Sequence, residues 1–289
     1  MIDKTYDLMA GEVYVYIESE NKTLEEEILN FTFQTLTQLI FIFNFYDKNS
    51  LLFKLNENKE ISYNFELAYL LKTSLKFYEQ TKGNFNIFLG NETSARKTNQ
   101  KEKEKTAKQK INPSKLLSIS KEKIILNDKN IILDLGGIAK GYIVDRAIEI
   151  TKEKYSKQLK TILIDARGDI RIEGKGDFKI EIENPFNPKI SFETITLKNA
   201  SVVTSGHNKQ KFTSGSHIIG KPTDIYTITL ISKEISCHIL DALATYFILL
   251  NSADTIELLE FDENYKNIEA LLILTNGKVL KTSFWDEYL

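Results

Sequence analysis

Asp241 and Thr245 stand four residues apart in the otherwise apolar stretch 237–250. That spacing puts both on one face of a helix. A carboxylate on an apolar face is costly to bury unless it is paired or holds a cation. A carboxylate and a hydroxyl one turn apart are hard oxygen donors, suited to Mg²⁺ rather than zinc. Two plainer roles fit the same residues: Asp241 capping a neighbouring segment, and Thr245 bonding its own helix carbonyl. A second pattern lies at 131–150, IILDLGGIAKGYIVDRAIEI. It reads as a buried strand, the turn Gly136-Gly137, and a helix with Ala139, Ile143, Ala147 and Ile150 on one face. The first turn of such a helix has unpaired N–H groups and partial positive charge, and Lys140 adds a full charge, so phosphate suits it. Glycine at 136 and 137 permits unusual backbone angles and close approach of a ligand. A tight structural turn is the plain alternative.

The chain has three histidines, His207, His217 and His238. His217 follows a Ser/Gly turn and precedes Ile218-Ile219, where it could act as a general base or touch a phosphate. His238 lies one turn before Asp241; a packed histidine is its plainer reading. Asp169, after Gly168 at a strand end, reads as structural. The lone cysteine, Cys237, rules out an internal disulfide framework and a cysteine zinc cluster, and reads as a buried structural thiol.

Around these residues the pattern alternates between periods. Residues 12–18 form an opening strand with Val13, Val15 and Ile17 on one face. Residues 24–43 form a helix with Leu29, Phe33, Leu36, Ile40 and Phe43 as its stripe. Ser62 is the expected N-cap of a second helix that Gly83 stops. Residues 170–173 and 178–182 suggest a hairpin around Gly174–Gly176. Residues 217–219 suggest a short strand. Residues 270–275 and 278–281 suggest a hairpin with Asn276-Gly277 as a type I′ turn. Residues 91–110, NETSARKTNQKEKEKTAKQK, lack apolar content to offset ordering and read as a flexible loop. Hairpins dominate the second half, so the expected class is α+β: mixed, largely antiparallel sheets with flanking helices.

The balance of 38 basic and 40 acidic residues, net −2, gives no reason to expect nucleic acid or a membrane surface as partner. No apolar run is long enough to span a bilayer. The N-terminus lacks the features of a signal peptide. The chain as written reads as cytoplasmic; an export segment upstream of Met1 would make it periplasmic.

Taken together and in order, these motifs resemble the FAD:protein FMN transferases of the ApbE type. Residues 134–142 read Asp-Leu-Gly-Gly-Ile-Ala-Lys-Gly-Tyr, the family's block without a substitution. Residues 203–206 with Phe212 resemble its Ala-Thr-Ser-Gly and following Phe. His217-Ile218-Ile219 and residues 241–245, Asp-Ala-Leu-Ala-Thr, match its last two motifs. Met9-Ala10-Gly11, Phe45-Tyr46-Asp47 and Gly83-Asn84-Phe85 look like its upstream segments. The resemblance covers nearly the whole chain and implies one ApbE-like, T-fold-like domain over residues 1–289.

It also implies a Mg²⁺-dependent enzyme that cleaves FAD and attaches FMN by a phosphoester bond to a Thr or Ser of an acceptor flavoprotein, releasing AMP. The alternatives are an FAD pyrophosphatase giving FMN and AMP, and a non-enzymatic FAD-binding protein. By the same resemblance, Asp241, Thr245 and the backbone carbonyl of Ala139 hold the metal. His217 takes the acceptor's proton, with Asp241 as the second catalytic residue. Gly136, Gly137 and Lys140 cradle the pyrophosphate. Met9, Tyr46 and Asp134 contact flavin or adenosine, and Gly83, Asn84, Phe85, Tyr142 and Ile218 complete the FAD site. The chain departs from the pattern at Asn86, where the family has Asp, at Arg167, where it has Gly, and over residues 220–224.

Overall fold

The computed structural model describes residues 1–97, 112–207, 211–212, 215–216, 218–221 and 223–289, with the backbone alone at 96–97, 211–212 and 215–216. In chain order come strands β1 (Ile2–Leu8) and β2 (Gly11–Ser19) and helices α1 (Glu25–Phe43) and α2 (Leu51–Asn58). Strand β3 (Glu60–Ser62), helices α3 (Phe65–Gln80), α4 (Gly90–Lys97) and α5 (Pro113–Leu116), and strands β4 (Leu117–Ile119) and β5 (Lys123–Leu126) follow. Then come α6 (Ala139–Tyr155), β6 (Leu159–Ala166), β7 (Asp169–Gly174), β8 (Phe178–Glu183), β9 (Ser191–Leu197) and β10 (Ser201–Gly206). The chain continues with β11 (Lys211–Phe212), β12 (Gly215–Ser216), β13 (Ile225–Ser232), α7 (Cys237–Phe247), α8 (Ser252–Phe261), β14 (Glu269–Leu274) and β15 (Val279–Lys281). The fold is α+β, as the alternating periods predict.

Two compact units share the chain: Met1–Thr37, Lys140–Lys209 and Lys221–Leu289 form one, Gln38–Ala139 and Gln210–Gly220 the other. The first is built on an eight-stranded sheet in the order β1-β2-β6-β7-β10-β13-β14-β15, with every neighbouring pair antiparallel. Val13, Val15 and Ile17 of β2 are fully buried on one face. On the other face Tyr14 and Tyr16 pack with Leu163, Ile170, Ile172 and Ile231. The β8–β9 ribbon and Trp285 cover that second face through Ile182, Ile195 and Leu197. With both faces buried, strands of this sheet read as nearly continuous apolar runs rather than clean alternations.

β1 is absent from the sequence reading because its alternation Lys4, Tyr6, Leu8 is too polar. It pairs along its whole length with β2 through a turn at Met9 and Ala10, both at positive φ (54° and 58°). That is the two-residue hairpin geometry that matches strand twist. β8 pairs with β9 and not with β7, contrary to the expected hairpin: Gly174 and Gly176, at φ 123° and 120°, turn the chain out of the large sheet. At the β14–β15 turn only Gly277 has positive φ (82°), and its N–H bonds Leu274 O. This is a type I turn with a glycine bulge, not type I′. Of the expected strand 217–219, His217 lies outside the described residues, and Ile218 and Ile219 are in no strand.

In the second unit α2 and α3 bury Leu52, Leu55, Leu67, Leu70 and Leu71 beside the small sheet β3-β5-β4. α3 starts two residues later than its sequence suggests, because Asn64 and not Ser62 caps it, accepting from Leu67 N. Ser62 instead ends β3. Residues 131–135 join no strand ladder. Asn56 holds Leu133 by both its N–H (2.8 Å) and its C=O (2.9 Å), and Ile87 O takes the Asp134 N–H. Within the expected loop 91–110, α4 is a helix, pinned by Asn91 Nδ2 donating to Asn130 O and Thr93 Oγ1 donating to Asp134; 98–110 lie outside the described residues. Among the described residues no helix is long and apolar enough to cross a membrane.

Candidate active site

In the first unit, the N-terminal ends of α6 and α7 cross at Gly141. A Cβ there would lie 2.6 Å from His238 Cα and 2.7 Å from Cys237 C and O. Glycine inside a helix costs about 1 kcal/mol in propensity, and this contact is what it permits. Each helix then ends against a carboxylate of the other. Asp145 of α6 accepts from Cys237 N (3.1 Å), His238 N (2.8 Å) and His238 Nδ1 (2.7 Å). Asp241 of α7 accepts from Gly141 N (3.2 Å). The positive helix ends favour negative charge at both places.

Lys140 projects from the same end of α6 and forms ion pairs with Asp169 and with Asp241 Oδ1 (3.4 Å). Asp169 opens β7 and pairs in register with Val203 of β10. Strand alternation puts Asp169, Arg171 and Glu173 on one face and Ile170 and Ile172 on the other. The three charged residues meet α6 in turn: Asp169 with Lys140, Arg171 with Asp145 (3.9 Å), Glu173 with Lys152. Asp169 and Asp241 are almost wholly buried, while Lys140 is 35% exposed. Burial raises Asp241 from an ordinary 3.8 to about 7, the charge of Asp169 adds to the rise, and Lys140 and the Gly141 N–H oppose it. Burial alone would lower Lys140; the two carboxylates outweigh it and raise its pKa.

The donor set fits a hard divalent cation. Asp169 Oδ1 is buried without a hydrogen-bond partner among the described residues, which leaves a lone pair to be satisfied. Thr245 is half-buried one turn beyond Asp241. Helical Thr32, Thr35, Thr37, Ser74 and Thr93 each bond a carbonyl four residues back; Thr245 makes no such bond among the described residues. Its oxygen is therefore not consumed by its own helix. Ala139 is the first residue of α6. Among the described residues no three His, Cys, Asp or Glu side chains group around a cation position. His217, the expected general base, lies outside the described residues.

The other expected residues divide by environment. Met9 lies in the β1–β2 turn, its carbonyl accepting from Arg167 Nη1 (3.0 Å), so the arginine that replaces glycine ties this turn down. Tyr142 is buried, edge-on to His238 with ring centroids 5.6 Å apart. In the second unit Asp134 accepts from Gly136 N (2.8 Å) and Thr93 Oγ1 (2.7 Å). Gly136 and Gly137 have no left-handed backbone; a Cβ at Gly136 would crowd Asp134 Oδ1 at 3.1 Å. Tyr46 is 52% exposed, and its pKa is raised by burial of its hydroxyl and by the charge of Asp134. Gly83 sits beyond the end of α3 at φ 85°, after Lys82 at φ 52°. Asn84 N donates to Thr81 O, and Phe85 is buried against Phe77 (5.6 Å). Ile218 is buried. Over 220–224, Asp224 receives the N–H and hydroxyl of Ser252 at the start of α8.

Sequence reasoning undervalued Asp169, Asp145 and Thr93. A signal for the first was present: charged residues alternate with isoleucine in β7, a strand of a sheet covered on both sides.

The ApbE family model matches residues 9–272. No curated protein matches the sequence significantly. Three solved structures superpose over nearly the full length. An ApbE protein from Thermotoga maritima is 18% identical with TM-score 0.81, covering 99% of this chain and 98% of its own. The flavin transferase ApbE from Vibrio cholerae is 19% identical with TM-score 0.79, covering 100% and 99%. The apo flavinyl transferase ApbE from Pseudomonas stutzeri is 19% identical with TM-score 0.80, covering 100% and 97%. At these identities the likeness is one of fold.

Proposed function

The chain belongs to the ApbE family, and from that premise we propose that it is a Mg²⁺-dependent FAD:protein FMN transferase. The observation that carries the reading is the cluster of Asp241, Asp169 and Lys140 at the start of α6. It follows directly on an Asp134–Gly136 turn of the family's own sequence. Asp241, Thr245 and the Ala139 carbonyl are the proposed metal ligands. Mg²⁺ bound there would polarise a phosphoryl oxygen and offset developing charge. The acceptor's Thr or Ser hydroxyl attacks the flavin-side phosphorus of FAD, the bridging P–O bond breaks, and AMP leaves with the bridging oxygen. Lys140 holds negative charge at the pyrophosphate and keeps Asp169 and Asp241 apart in charge. His217 is the proposed acceptor of the hydroxyl's proton. Asp134 with Gly136 and Gly137 fixes the turn that a phosphate approaches, and Tyr46 and Met9 are proposed nucleoside contacts.

The test is incubation with FAD and Mg²⁺, with and without a Thr-containing acceptor flavoprotein, followed by chromatography of flavins and AMP. Flavinylated acceptor with stoichiometric AMP supports the proposal. AMP at the same rate without acceptor would make the protein a pyrophosphatase, and FAD recovered unchanged would leave it a flavin-binding protein.

A further inference from the structure

A cavity of about 530 Å³ opens in the first unit away from the Lys140 cluster. Its charged lining is Lys152, Lys160, Arg171, Lys175, Lys233 and a single carboxylate, Glu173. In a chain of net charge −2, five cations facing one cavity are a local reversal of sign. Such a concave, single-sign lining focuses potential and concentrates anions. The cavity and the Lys140 cluster lie toward opposite ends of β7: Asp169 and Glu173 are four residues apart, about 13 Å along a strand. On α6, Lys140 and Lys152 are separated by about 18 Å of helix.

Two of the five cations, Lys152 and Arg171, are paired with carboxylates within the wall, and among the described residues the other three are not. Glu173 is engaged by Lys152 and by Arg171 Nη2 (2.9 Å), and Arg171 Nη1 is held by Ser201 Oγ (3.0 Å). The guanidinium is thus a fixed positive group in the wall. Lys160 and Lys175 are exposed and have no carboxylate within 4.0 Å among the described residues. Lys233 rests over the Tyr288 ring, 5.1 Å from its centroid, where its charge stays available. Leu159 and Ile162 add an apolar stretch to the lining. The volume is too large for inorganic phosphate and lies in the range of small-molecule sites. We propose that this cavity binds a soluble, phosphate-bearing anion of mononucleotide size, at a site separate from the one around Lys140. Lysines on flexible stems would close on the phosphates as point charges, and affinity would fall steeply with salt.

The probe is ADP, titrated calorimetrically into the full chain at low ionic strength without metal, in the absence and presence of saturating FAD. Binding is expected in both cases. K160E/K175E, at two exposed positions, should weaken ADP about tenfold or more, and K160Q/K175Q should fall between. FAD binding followed by flavin fluorescence should be unaltered in both variants. Absence of ADP binding to the wild type, binding unchanged in K160E/K175E, or displacement of ADP by FAD would each overturn the proposal. Flotation with phosphatidylserine-containing vesicles separates a headgroup from a soluble ligand: vesicle binding lost in K160E/K175E, with no ADP binding, would also overturn it. A failure to bind FAD would count against the transferase reading and leave the ADP titration to be judged by the lysine variants.

Discussion

Asp145 and Asp241 each cap the helix that carries the other. Asp145, within α6, takes the first two N–H groups of α7, and Asp241, within α7, takes the Gly141 N–H near the start of α6. The exchange works only because the helices touch backbone to backbone at Gly141. Gly141→Ala should regain about 1 kcal/mol of helix propensity and lose about 3 kcal/mol to overpacking against immovable backbone. The clash wins, so thermal unfolding should show a Tm lower by several degrees. The variant should also lose Mg²⁺ affinity, since α7 carries Asp241.

Asp241→Asn keeps the shape of the side chain and removes its charge. FAD turnover should fall about 100-fold or more, the scale of removing a preorganised electrostatic group. The fold should persist, because the amide oxygen still accepts from Gly141 N. Product chromatography and circular dichroism check the two halves separately; a variant as active as wild type would exclude Asp241 from the site.

The pH dependence has two opposite arms. Burial and Asp169 raise the pKa of Asp241 in the folded chain from 3.8 to about 7. The folded chain therefore keeps a proton that the unfolded chain has released. Stability from this group is complete below about pH 4 and is lost as pH rises through 7. Mg²⁺ needs the ionised carboxylate, so its affinity should rise with pH and level off above about 7. Denaturant titrations of metal-free protein and Mg²⁺ titrations at pH 5 to 8 measure the arms independently.

Asn56 is buried and satisfies both backbone groups of Leu133. Asn56→Ala should cost about 2–4 kcal/mol by stranding a buried N–H and C=O. Hydrogen exchange should show the Leu133 amide losing protection ahead of the large sheet. Equal protection in the variant would show that water replaces the amide without loss.

Cys237 is buried, and burial followed by the charges of Asp145, Asp169 and Asp241 raises its thiol pKa well above the usual range. Iodoacetamide should leave it unmodified in the native chain and label it fully in guanidinium, as read by intact mass.

The sequence alone specified what depends on local rules. Residue period separated helix from strand, the unbroken block at 134–142 marked the turn into α6, and the four-residue spacing of Asp241 and Thr245 put two oxygens on one helix face. Local rules misplaced what depends on a distant partner. Residues 131–135 look like a strand, yet their hydrogen bonds go to Asn56 and to Ile87 and Gly90. Ser62 looks like a cap, yet β3 claims it. Asp169 looked structural because its partner Lys140 is 29 positions away, and Asp241 lies 101 positions from that same lysine. Only the tertiary structure placed these charges together and out of water, and that burial gives Asp241 its raised pKa and Asp169 its unsatisfied oxygen. Gly141 belongs to both accounts: its presence inside a helix was visible in the sequence, and its reason, the backbone of Cys237 and His238, exists only once the two helices have met.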